Sequence, residues 1–400
     1  MKVVIMAGGK GTRISSVASD IPKPMIKIEN KPVLEHEIEC LRDQGFTDII
    51  LTVSHLGDII MNYFGDGSGI SPVTGQPFDV KIEYFLEKEP LGNAGALFRL
   101  KDNLTEDFLL LNADAMFDVD FNRFVAYHRE KGGLVTLFTH PNSHPYDSGL
   151  IIADKDGSVD RWLVKEDSRP TYYRNRVNAG LHVISPAVLD VEINTPKIDL
   201  DRQLLKPLAG TGKMFCYDSP EYVKDMGTPD RYYAVCEDFK AGRVKGKNLQ
   251  NKQKAVFLDR DGTINQYVAI VITNQPVIAR GEVSFEELEE IHNKMETLLG
   301  YKGAYLDAVY YCPHHPHKGY EEERPELKFD CECRKPKPGM LIQAATDFNI
   351  DLSQSWMIGD GENDIKAGQA AGCKTALVGE SEYGQDMTIA TLSEFADKIC

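Results

Sequence analysis

The chain has 400 residues, of which 42% are apolar and 26% are charged, and its formal net charge at pH 7 is −16. That length suits two or three globular domains, and the acidic balance argues against nucleic acid or an anionic membrane as the main partner. No apolar run approaches the ~20 residues of a membrane span. The chain begins with a short strand and glycines instead of a cleavable signal, which predicts a cytoplasmic protein.

The first predicted strand, Lys2–Met6, runs into a glycine-rich loop, Ala-Gly-Gly-Lys-Gly-Thr-Arg over residues 7–13. Glycines let a backbone approach phosphates closely, and the Lys and Arg side chains add positive potential. The Gly-Lys-Ser/Thr of a Walker loop is absent, and a plain turn is the alternative interpretation for such a loop on its own. Further motifs must therefore decide whether it binds phosphate.

A β-α-β order follows this loop. Residues from Pro32 to Gly45 read as a helix with one apolar face, and residues 48–53 read as the next strand. Residues 108–111 form a later apolar strand that leads to Asp114. Open parallel sheets bind ligands at the carboxyl ends of their strands, so Asp114 is predicted to lie at a ligand site.

Four further segments carry a resemblance. They are Pro22-Lys23-Pro24-Met25, Leu91-Gly92-Asn93-Ala94-Gly95-Ala96, Val177-Asn178-Ala179-Gly180 and Asp225-Met226-Gly227-Thr228-Pro229. Together with the glycine-rich loop they resemble the sugar-1-phosphate nucleotidyltransferases over about residues 1–235. Asn93 stands where that family has Thr, and Ala113 stands where it has Gly. The family's Glu-Lys-Pro before Asn178 is absent, which leaves Lys165 and Glu166 as rival contacts for the sugar phosphate.

The resemblance implies a Rossmann-like domain that transfers a nucleotidyl group to a sugar 1-phosphate. The sugar phosphate would attack the α-phosphorus in line and pyrophosphate would leave, without a covalent intermediate. Asp114 and Asp225 would hold Mg²⁺, and Arg13 and Lys23 would supply catalytic charge. The implied substrate-binding residues are Gly8, Gly9, Lys10, Gly11 and Thr12 at the phosphates, Gly92 and Asn93 at the nucleobase, and Asn178, Gly180 and Lys165 at the sugar phosphate.

A polar, basic stretch with two glycines follows a predicted closing helix, Tyr232 to Phe239. That composition is typical of a linker. We therefore expect a first domain over residues 1–240, a linker over 241–254 and a second domain over 255–400.

The second half opens with an apolar strand that ends in Asp259-Arg260-Asp261-Gly262-Thr263. A turn beginning at Gly262 can bring both carboxylates over one pocket. An isolated Asp-x-Asp is equally consistent with a solvated acidic turn. Later residues favour a site, because two more apolar runs end in Thr273-Asn274 and in Asp360, and a Lys335-Pro336 pair lies between them.

This order of motifs resembles the haloacid-dehalogenase phosphatase superfamily. The resemblance implies a second doubly wound α/β domain, in which Asp259 attacks phosphorus and Asp261 moves the proton. Thr273 and Asn274 would hold the phosphoryl oxygens, and Lys335 would neutralise developing charge. Asp259, Asp261 and Asp360 would hold Mg²⁺, with Asp364 beside that site.

Three cysteines cluster with histidines instead of being scattered. The predicted Zn²⁺ ligands are Cys312, His314, Cys331 and Cys333, which supply the four donors of a closed tetrahedral site. His315 and His317 are rival ligands, and a loop of unpaired thiols is the alternative. We expect a structural zinc that orders a loop presenting Arg334 and Lys335.

The cysteine loop indicates which phosphatases of this superfamily the second half resembles. Together with Thr273-Asn274-Gln275 and Ile278-Ala279-Arg280-Gly281 it resembles the heptose-bisphosphate phosphatases, and histidinol-phosphate phosphatases have a similar loop. Beside a sugar transferase, the heptose phosphatase is favoured, which implies one chain that dephosphorylates heptose 1,7-bisphosphate and then guanylylates heptose 1-phosphate. The alternatives are a hexose-1-phosphate guanylyltransferase with a histidinol-phosphatase-like domain, and a regulatory module without turnover. The expected partners are sugar phosphates and a nucleoside triphosphate, and a homo-oligomer is compatible with the sequence.

One connection is unusually short. Only residues 266–268 separate Asn265 from the next strand, Ala269–Ile272, whereas a parallel crossover needs about a dozen residues and usually a helix. Without that helix, one sheet face is expected to lose a layer of packing. The sequence therefore predicts a further segment at this point of the protein.

Overall fold

A computed structural model describes residues 1–8, 21–54, 56–164, 166–193, 195, 197–259 and 267–399, apart from the side chain of Asp147. The chain forms two compact units. The first unit contains Met1–His140, Gly149–Glu166 and Val177–Asn248, and the second contains Pro141–Ser148, Asp167–Arg176 and Leu249–Cys400. No helix among the described residues is both long and apolar enough to cross a membrane.

The first unit is built around a mixed sheet. Its strand order is β10-β9-β11-β6-β1-β4-β5, β8 pairs with β11 and β12, and β2–β3 and β7–β13 form two small ribbons. Its elements are β1 (Val3–Met6), β2 (Lys27–Ile28), β3 (Lys31–Pro32), α1 (Val33–Arg42), β4 (Asp48–Val53), α2 (Gly57–Phe64), β5 (Lys81–Leu86), α3 (Gly95–Arg99), β6 (Phe108–Asn112), β7 (Ala115–Asp118), α4 (Phe121–Lys131), β8 (Val135–His140), β9 (Leu150–Ala153), β10 (Val159–Leu163), β11 (Val177–Ile184), β12 (Met214–Asp218), β13 (Tyr222–Asp225), α5 (Pro229–Lys240) and α6 (Arg243–Gly246).

The central strands of this sheet are buried on both faces. Val3 and Ile5 pack into one apolar cluster with α1 and α2, whereas Val4 packs into a second cluster on the other face with α3. Strands β6, β1, β4 and β5 are parallel neighbours, so their carboxyl ends lie at one edge of the sheet. This arrangement confirms the α/β fold predicted for the first half and places the loops after β1, β4 and β6 together.

The second unit has a parallel sheet with the order β16-β15-β14-β17-β18-β19. This unit confirms the second predicted α/β fold. Its elements are β14 (Ala255–Leu258), β15 (Val268–Asn274), α7 (Phe285–Gly300), β16 (Ala308–Cys312), α8 (Gly339–Asp347), β17 (Trp356–Gly359), α9 (Glu362–Ala371), β18 (Lys374–Val378), β19 (Met387–Ile389) and α10 (Leu392–Ile399).

The short connection does not leave a sheet face bare, so the expected loss of packing was wrong. Strands β14 and β15 are parallel neighbours, and residues 259–267 join them. Phe257 and Ile270 pack on one face with α8 and α9, whereas Leu258 and Val271 pack on the other face in a cluster that includes α7 and α10. Because β14 has only four residues, a return of about 13 Å is enough. A further segment at residues 260–266, which lie outside the described residues, stays a prediction.

The stretch expected to be a linker is partly folded. Residues 243–246 form α6, and Val244 and Leu249 are buried. Gln253 forms a β-bridge with Ile350, and both residues belong to the second unit. The two units divide between Asn248 and Leu249. Polar composition therefore marked the position of the boundary while concealing that its residues pack.

Two segments from the first half of the chain belong to the second unit, which chain order did not predict. In the segment Asp167–Arg176, the backbone N–H of Tyr173 donates to Thr297 Oγ1 (2.9 Å) and that hydroxyl donates to the Tyr173 carbonyl (3.0 Å). The N–H of Asn175 donates to Glu296 Oε2 (2.8 Å). Both partners are buried residues of α7, so this helix of the second unit is completed by residues some 120 positions earlier in the chain.

Candidate active sites

A cavity of about 750 Å³ opens at the carboxyl ends of β1, β4 and β6 in the first unit. Of the predicted site residues, Gly8, Lys23, Gly92, Asn93 and Asp114 line it. The carbonyl of Gly8 is fixed by a hydrogen bond from Ser54 Oγ at 2.6 Å, which joins the loop after β1 to the end of β4. The remaining predicted residues of the loop (Gly9, Lys10, Gly11, Thr12 and Arg13) and Lys165 lie outside the described residues.

Lys23 and Asp114 meet in this cavity. Their Nζ and Oδ2 atoms are 2.9 Å apart, with 12% of the lysine and 41% of the aspartate side chain exposed. Lys23 is held in a short 3₁₀ turn, Lys23–Met25, that follows Pro22. A lysine and a half-open carboxylate in contact can bind an anion and a cation respectively once ligands compete for the pair.

Asp225 lies one backbone contact away from Asp114. The N–H of Met226 donates to the Asp114 carbonyl at 3.1 Å, and β13 runs antiparallel to β7 with Asp225 opposite Ala115. The carboxylate of Asp225 accepts from the N–H of Gly227 (2.7 Å) and from Arg231 Nη1 (2.5 Å). The structure thus places Asp114 directly before β7 and Asp225 at the end of β13, the strand that pairs with β7, with Arg231 as the present partner of Asp225.

A buried carboxylate that the sequence did not single out is coupled to this site. Glu37 of α1 is fully buried, and neither of its carboxylate oxygens has a hydrogen-bond partner within the described part of the chain. Burial, and then the charge of Asp114, raise the pKa of Glu37 well above its usual value. A glutamate among the apolar positions Leu34, Ile38 and Leu41 was the available signal. Its placement favours a neutral carboxyl group beside the charged pair.

The nucleobase segment predicted around Gly92 forms one wall of the cavity. Gly92 has φ +81°, and a Cβ there would overlap the backbone of Ile198. Asn93 Oδ1 accepts a hydrogen bond from the backbone N–H of Leu200 at 2.7 Å. Both contacts tie this wall to the start of the π-helix Leu200–Leu205.

Asn178 and Gly180 lie at an irregularity of β11. Asn178 Oδ1 accepts from the N–H of Gly180 and from His182 Nε2, both at 3.2 Å. A Cβ on Gly180, which has φ +78°, would lie 2.5 Å from Nδ2 of Asn112, a cavity residue. His182 is buried, and burial lowers its pKa to about 4, so the ring is neutral. Sequence reasoning missed His182, since a histidine in an apolar strand usually reads as core.

The second unit gathers its charged residues at the carboxyl ends of β14, β15 and β17. Lys335 Nζ contacts Asp259 Oδ1 (3.0 Å), Asp364 Oδ1 (2.6 Å) and the Ile272 carbonyl (2.7 Å). Only 2% of the Lys335 side chain is exposed, against 29% for Asp259 and 6% for Asp364. A buried ammonium group is stable only when it is fully paired, and here three oxygens pair it.

Three carboxylates of this site could hold a metal ion. Asp259, Asp360 and Asp364 each offer an oxygen, and these oxygens lie within 4.8 Å of one another. Such a group suits a hard cation such as Mg²⁺. Asp364, expected beside this site, offers one of these oxygens, and it also accepts from the N–H of Gly361 at 3.1 Å. Asp261, the predicted acid and base, lies outside the described residues.

The predicted phosphoryl contacts flank the buried lysine. Asn274 Oδ1 accepts from the N–H of Lys335 and Asn274 Nδ2 donates to its carbonyl, both at 3.0 Å. Gln275 Nε2 lies 3.0 Å from Thr273 Oγ1. Asn274 therefore positions the backbone that carries Lys335, a role that the motif alone did not indicate.

The cysteine loop brings together the four predicted zinc ligands. Cys331 Sγ lies 3.4 Å from Cys312 Sγ and 3.2 Å from Cys333 Sγ, and His314 Nδ1 lies 3.3 Å from Cys333 Sγ. These separations are too long for a disulfide bond of about 2.05 Å and suit donors around one tetrahedral centre. Of the rival ligands, His315 points its Nδ1 at the His317 carbonyl (3.1 Å). Arg334 Nη1 donates to the His314 carbonyl (3.1 Å), which anchors Arg334 on the loop.

Residues 2–241 match the family described as "Nucleotidyl transferase". The chain belongs to the nucleotidyl transferase family. Residues 332–397 match a second family, described as HAD-hydrolase-like, and that match includes Lys335, Asp360 and Asp364.

Curated relatives of this nucleotidyl transferase are about 30% identical to it over the region that aligns. A probable mannose-1-phosphate guanylyltransferase 2 of Oryza sativa subsp. japonica is 29% identical over 240 residues, or 58% of this chain and 63% of that protein. Mannose-1-phosphate guanyltransferase beta-B of Xenopus laevis is 30% identical over 233 residues, or 57% and 62% of the two chains. The chain thus spans less than two thirds of the length of these relatives.

Solved structures agree with the fold. HddC from Yersinia pseudotuberculosis is 28% identical, with a TM-score of 0.50, and the match covers 60% of this nucleotidyl transferase and 99% of HddC. An apo UDP-glucose pyrophosphorylase matches with a TM-score of 0.51 at 15% identity, covering 61% and 99% of the two chains, which indicates a shared fold.

Proposed function

We propose that the chain is a two-site enzyme of sugar-nucleotide synthesis. The second unit would remove the 7-phosphate of D-glycero-D-manno-heptose 1,7-bisphosphate, and the first would transfer GMP from GTP to the resulting heptose 1-phosphate. The observation that carries the proposal is that each unit has its own lysine–carboxylate site at the carboxyl edge of its sheet, Lys23–Asp114 in one and Lys335–Asp259 in the other. Its substrates are metabolites of the cytoplasm, where we place the protein.

In the transferase site, the chain's task is to hold two phosphates in line. Lys23 would neutralise the α-phosphate as it is attacked, together with Lys10 and Arg13 from the glycine-rich loop. Asp114 and Asp225 would hold Mg²⁺, which supplies charge stabilisation for the departing pyrophosphate. Asn178 and Gly180 would contact the sugar, with Lys165 at its phosphate. Ligand binding would replace the present contacts of Asp114 with Lys23 and of Asp225 with Arg231.

In the phosphatase site, the Asp259 carboxylate would attack phosphorus, and the bond to the sugar oxygen would break as Asp261 protonates that oxygen. Asp261 would then take a proton from water, whose oxygen attacks the aspartyl-phosphate and releases phosphate. Lys335, with Thr273 and Asn274, would hold the phosphoryl oxygens. Asp259, Asp360 and Asp364 fit Mg²⁺, which would offset the charge of the phosphate against these carboxylates.

The cysteine loop would hold one structural Zn²⁺ through Cys312, His314, Cys331 and Cys333. Its donor set and spacing support this proposal. The loop continues directly into Arg334 and Lys335, so the order of the loop would fix where the buried lysine enters the site.

A second candidate is a hexose 1-phosphate guanylyltransferase joined to a histidinol-phosphatase-like domain. The observation that favours it is that the relatives named above are mannose-1-phosphate guanylyltransferases by name. A module that binds nucleotide without turnover is a third, and the intact set of Asp259, Asp261, Lys335 and Asp360 argues against it.

One coupled experiment tests the proposal. The full chain is given GTP and Mg²⁺ with heptose 1,7-bisphosphate, heptose 1-phosphate, mannose 1-phosphate or histidinol phosphate, and phosphate and pyrophosphate are measured separately. We expect the bisphosphate to release both products and heptose 1-phosphate to release pyrophosphate only. Faster pyrophosphate release from mannose 1-phosphate, with phosphate release from histidinol phosphate, would favour the second candidate. No product from any substrate would favour the module.

A further inference from the structure

Each of the two carboxylates proposed to hold Mg²⁺ in the first unit has a protein cation on it. Lys23 Nζ lies 2.9 Å from Asp114 Oδ2, and Arg231 Nη1 lies 2.5 Å from Asp225 Oδ2. The two aspartate side chains are 41% and 42% exposed, so a metal ion can reach them from solvent. Carboxylate oxygens are ligands that Mg²⁺ prefers, and here both carboxylates already neutralise a positive charge. They therefore fit the ion, which competes with the lysine and the arginine for the same oxygens.

Each oxygen of Asp225 has a partner. The backbone N–H of Gly227 donates to Oδ1 at 2.7 Å, and the guanidinium of Arg231 donates to Oδ2. The Gly227 contact is local, only two residues along the chain, whereas Arg231 reaches Asp225 from α5 with a long side chain that is 34% exposed. A metal ion on Oδ2 would lie beside the guanidinium, and two positive charges repel each other. Binding of the ion therefore displaces Arg231.

The displaced guanidinium needs another anion. An arginine side chain stays charged in proteins and has five N–H donors but no acceptor. Its planar fork matches the oxygens of a carboxylate or of a phosphate. The anions that the proposed reaction brings to this metal ion are phosphates, those of the nucleotide and that of the sugar.

We infer that Arg231 exchanges the Asp225 carboxylate for a phosphate oxygen of a substrate when Mg²⁺ binds. The inference rests on the proposed transfer and adds a residue to its phosphate site. In the free protein Arg231 competes with the metal ion, and in the complex it binds the phosphate. The same side chain thus opposes metal binding before substrate arrives and supports substrate binding afterwards, so that metal and substrate bind together.

A second arginine of the first unit provides a matched control. Arg243 is also 34% exposed, and it pairs with Asp238 at 2.7 Å. Asp238 is only 16% exposed, and Lys224 and the Tyr222 hydroxyl donate to it as well, at 3.1 and 2.8 Å. Three side chains share that carboxylate, so the loss of one leaves it paired. Arg243→Gln therefore removes the same charge as Arg231→Gln, but from a carboxylate that is not proposed to bind metal.

The first measurement is metal binding without substrate. Mn²⁺, which takes the same oxygen ligands as Mg²⁺, is titrated into the full chain and followed by electron paramagnetic resonance. The reference protein carries only Asp360→Asn, which weakens the metal site proposed in the second unit, and each variant is built on it. We expect Arg231→Gln to bind Mn²⁺ about fivefold or more tightly than the reference, because a competing charge is gone. Arg243→Gln should match the reference to within about twofold.

The second measurement is phosphate binding with Mg²⁺ present. Calorimetry gives the affinity for GTP, and then for heptose 1-phosphate in the presence of the α,β-methylene analogue of GTP, which cannot transfer GMP. Arg231→Gln should weaken one of the two affinities by about tenfold or more, since a charged hydrogen bond is lost. A loss for GTP assigns Arg231 to the nucleotide phosphates, and a loss for heptose 1-phosphate assigns it to the sugar phosphate.

The opposite signs of these two changes distinguish the exchange from a structural role. Replacing an arginine that only anchors α5 would leave metal affinity unchanged or lower it. Unchanged or weaker Mn²⁺ binding by Arg231→Gln would therefore overturn the inference, and so would unchanged affinity for both phosphate ligands. Arg231→Lys, which keeps the charge, should change both measurements in the same directions but less, and it replaces Arg231→Gln in the comparison if thermal unfolding shows that the latter does not fold.

The Mn²⁺ titration also separates this inference from the proposed function, because it needs no turnover. If both affinities change as expected and no sugar 1-phosphate releases pyrophosphate, the exchange by Arg231 stands and the proposed transfer fails. If pyrophosphate is released and Mn²⁺ binding is unchanged in Arg231→Gln, the transfer stands and the exchange fails. If the reference protein binds neither Mn²⁺ nor GTP, both are wrong.

Discussion

The two lysine–carboxylate sites differ in how many oxygens the lysine contacts and in how exposed the side chains are. Among the described residues Lys23, whose side chain is 12% exposed, contacts the carboxylate of Asp114, whose side chain is 41% exposed. Lys335 contacts Asp259, Asp364 and a backbone carbonyl, and its side chain is 2% exposed. A pair whose carboxylate is partly open to water leaves a better-solvated charge when it loses its lysine, whereas a fully buried pair cannot lose one member without leaving a buried unpaired charge. We therefore expect a substitution in the first site to lower the free energy of unfolding less than one in the second, where losing Lys335 or a partner leaves a buried unpaired charge.

The largest effects are expected when one carboxylate is removed from each site. Asp259→Asn should lower phosphate release by on the order of 10⁴ or more, because the nucleophile is lost, and should leave pyrophosphate release from heptose 1-phosphate unchanged. Asp114→Ala should do the reverse, and so should Arg13→Ala. Separate phosphate and pyrophosphate assays measure this. Equal loss of both activities in a folded variant would contradict two independent sites.

Replacing each lysine tests whether the more buried site contributes more to stability. Lys335→Met should lower phosphate release by on the order of 10²–10³ and lower the free energy of unfolding of the second unit by roughly 3–5 kcal/mol, because Asp259 and Asp364 lose their shared partner. The matched variant Lys23→Met should lower transfer but change stability by less than about 1 kcal/mol. Urea unfolding followed with the two activity assays measures both. Similar stability losses in the two variants would show that exposure does not separate these sites.

Loss of zinc is expected to lower phosphate release by the second unit and to leave transfer by the first unit unchanged. Freshly purified protein should contain one zinc per chain by elemental analysis. Cys331→Ser should lower phosphate release by roughly 10–100-fold, since the loop that carries Lys335 loses a ligand, while transfer is unchanged. Cys373→Ser, at a buried cysteine outside the cluster, is the control. Protein without zinc at full phosphatase activity would contradict the structural role.

The smallest expected effect concerns Glu37. Its pKa is raised in the folded protein, so folding favours the protonated form, and this contribution is present below the unfolded value of about 4.3 and declines as pH rises toward the folded value. Glu37→Gln, which stays neutral, should therefore be more stable than wild type at pH 8 by on the order of 1–2 kcal/mol, with a smaller difference at pH 4.5. Urea unfolding at both pH values measures this. An equal difference at both would show that Glu37 does not titrate on unfolding.

Local order along the chain predicted the parts of these sites that are local. Residues that follow parallel strands, such as Asp114 in the first unit and Asp259 in the second, each lie at the edge where the carboxyl ends of neighbouring strands of their own sheet come together. Closely spaced ligands, such as Cys331 and Cys333, must meet wherever the loop goes. Spacing carries no information on partners far apart in the chain, so the contact of Asn93 with Leu200 could not be predicted. The contact of His182 with Asn178 was close in sequence, but it depends on the irregularity at Gly180.

The expectation about the short connection after β14 failed for a related reason. It assumed that the helix covering a strand is the one that follows it in sequence. Helices α7 and α10, which come later in the chain, lie in the cluster that buries Leu258 and Val271. Packing depends on which helices reach a face, whatever their order.

The pairing of Tyr173 with Thr297 has a consequence during synthesis on the ribosome. The two residues are 124 positions apart, so segment Asp167–Arg176 emerges long before the helix that receives it. At typical rates of about 5–20 residues per second, Thr297 is synthesised at least several seconds after Tyr173. A gene cut at the boundary between Asn248 and Leu249 would encode a C-terminal half that lacks two of its own segments. Dividing the gene at that point would therefore remove two segments from the second unit, although the motifs of the two proposed activities lie on opposite sides of it.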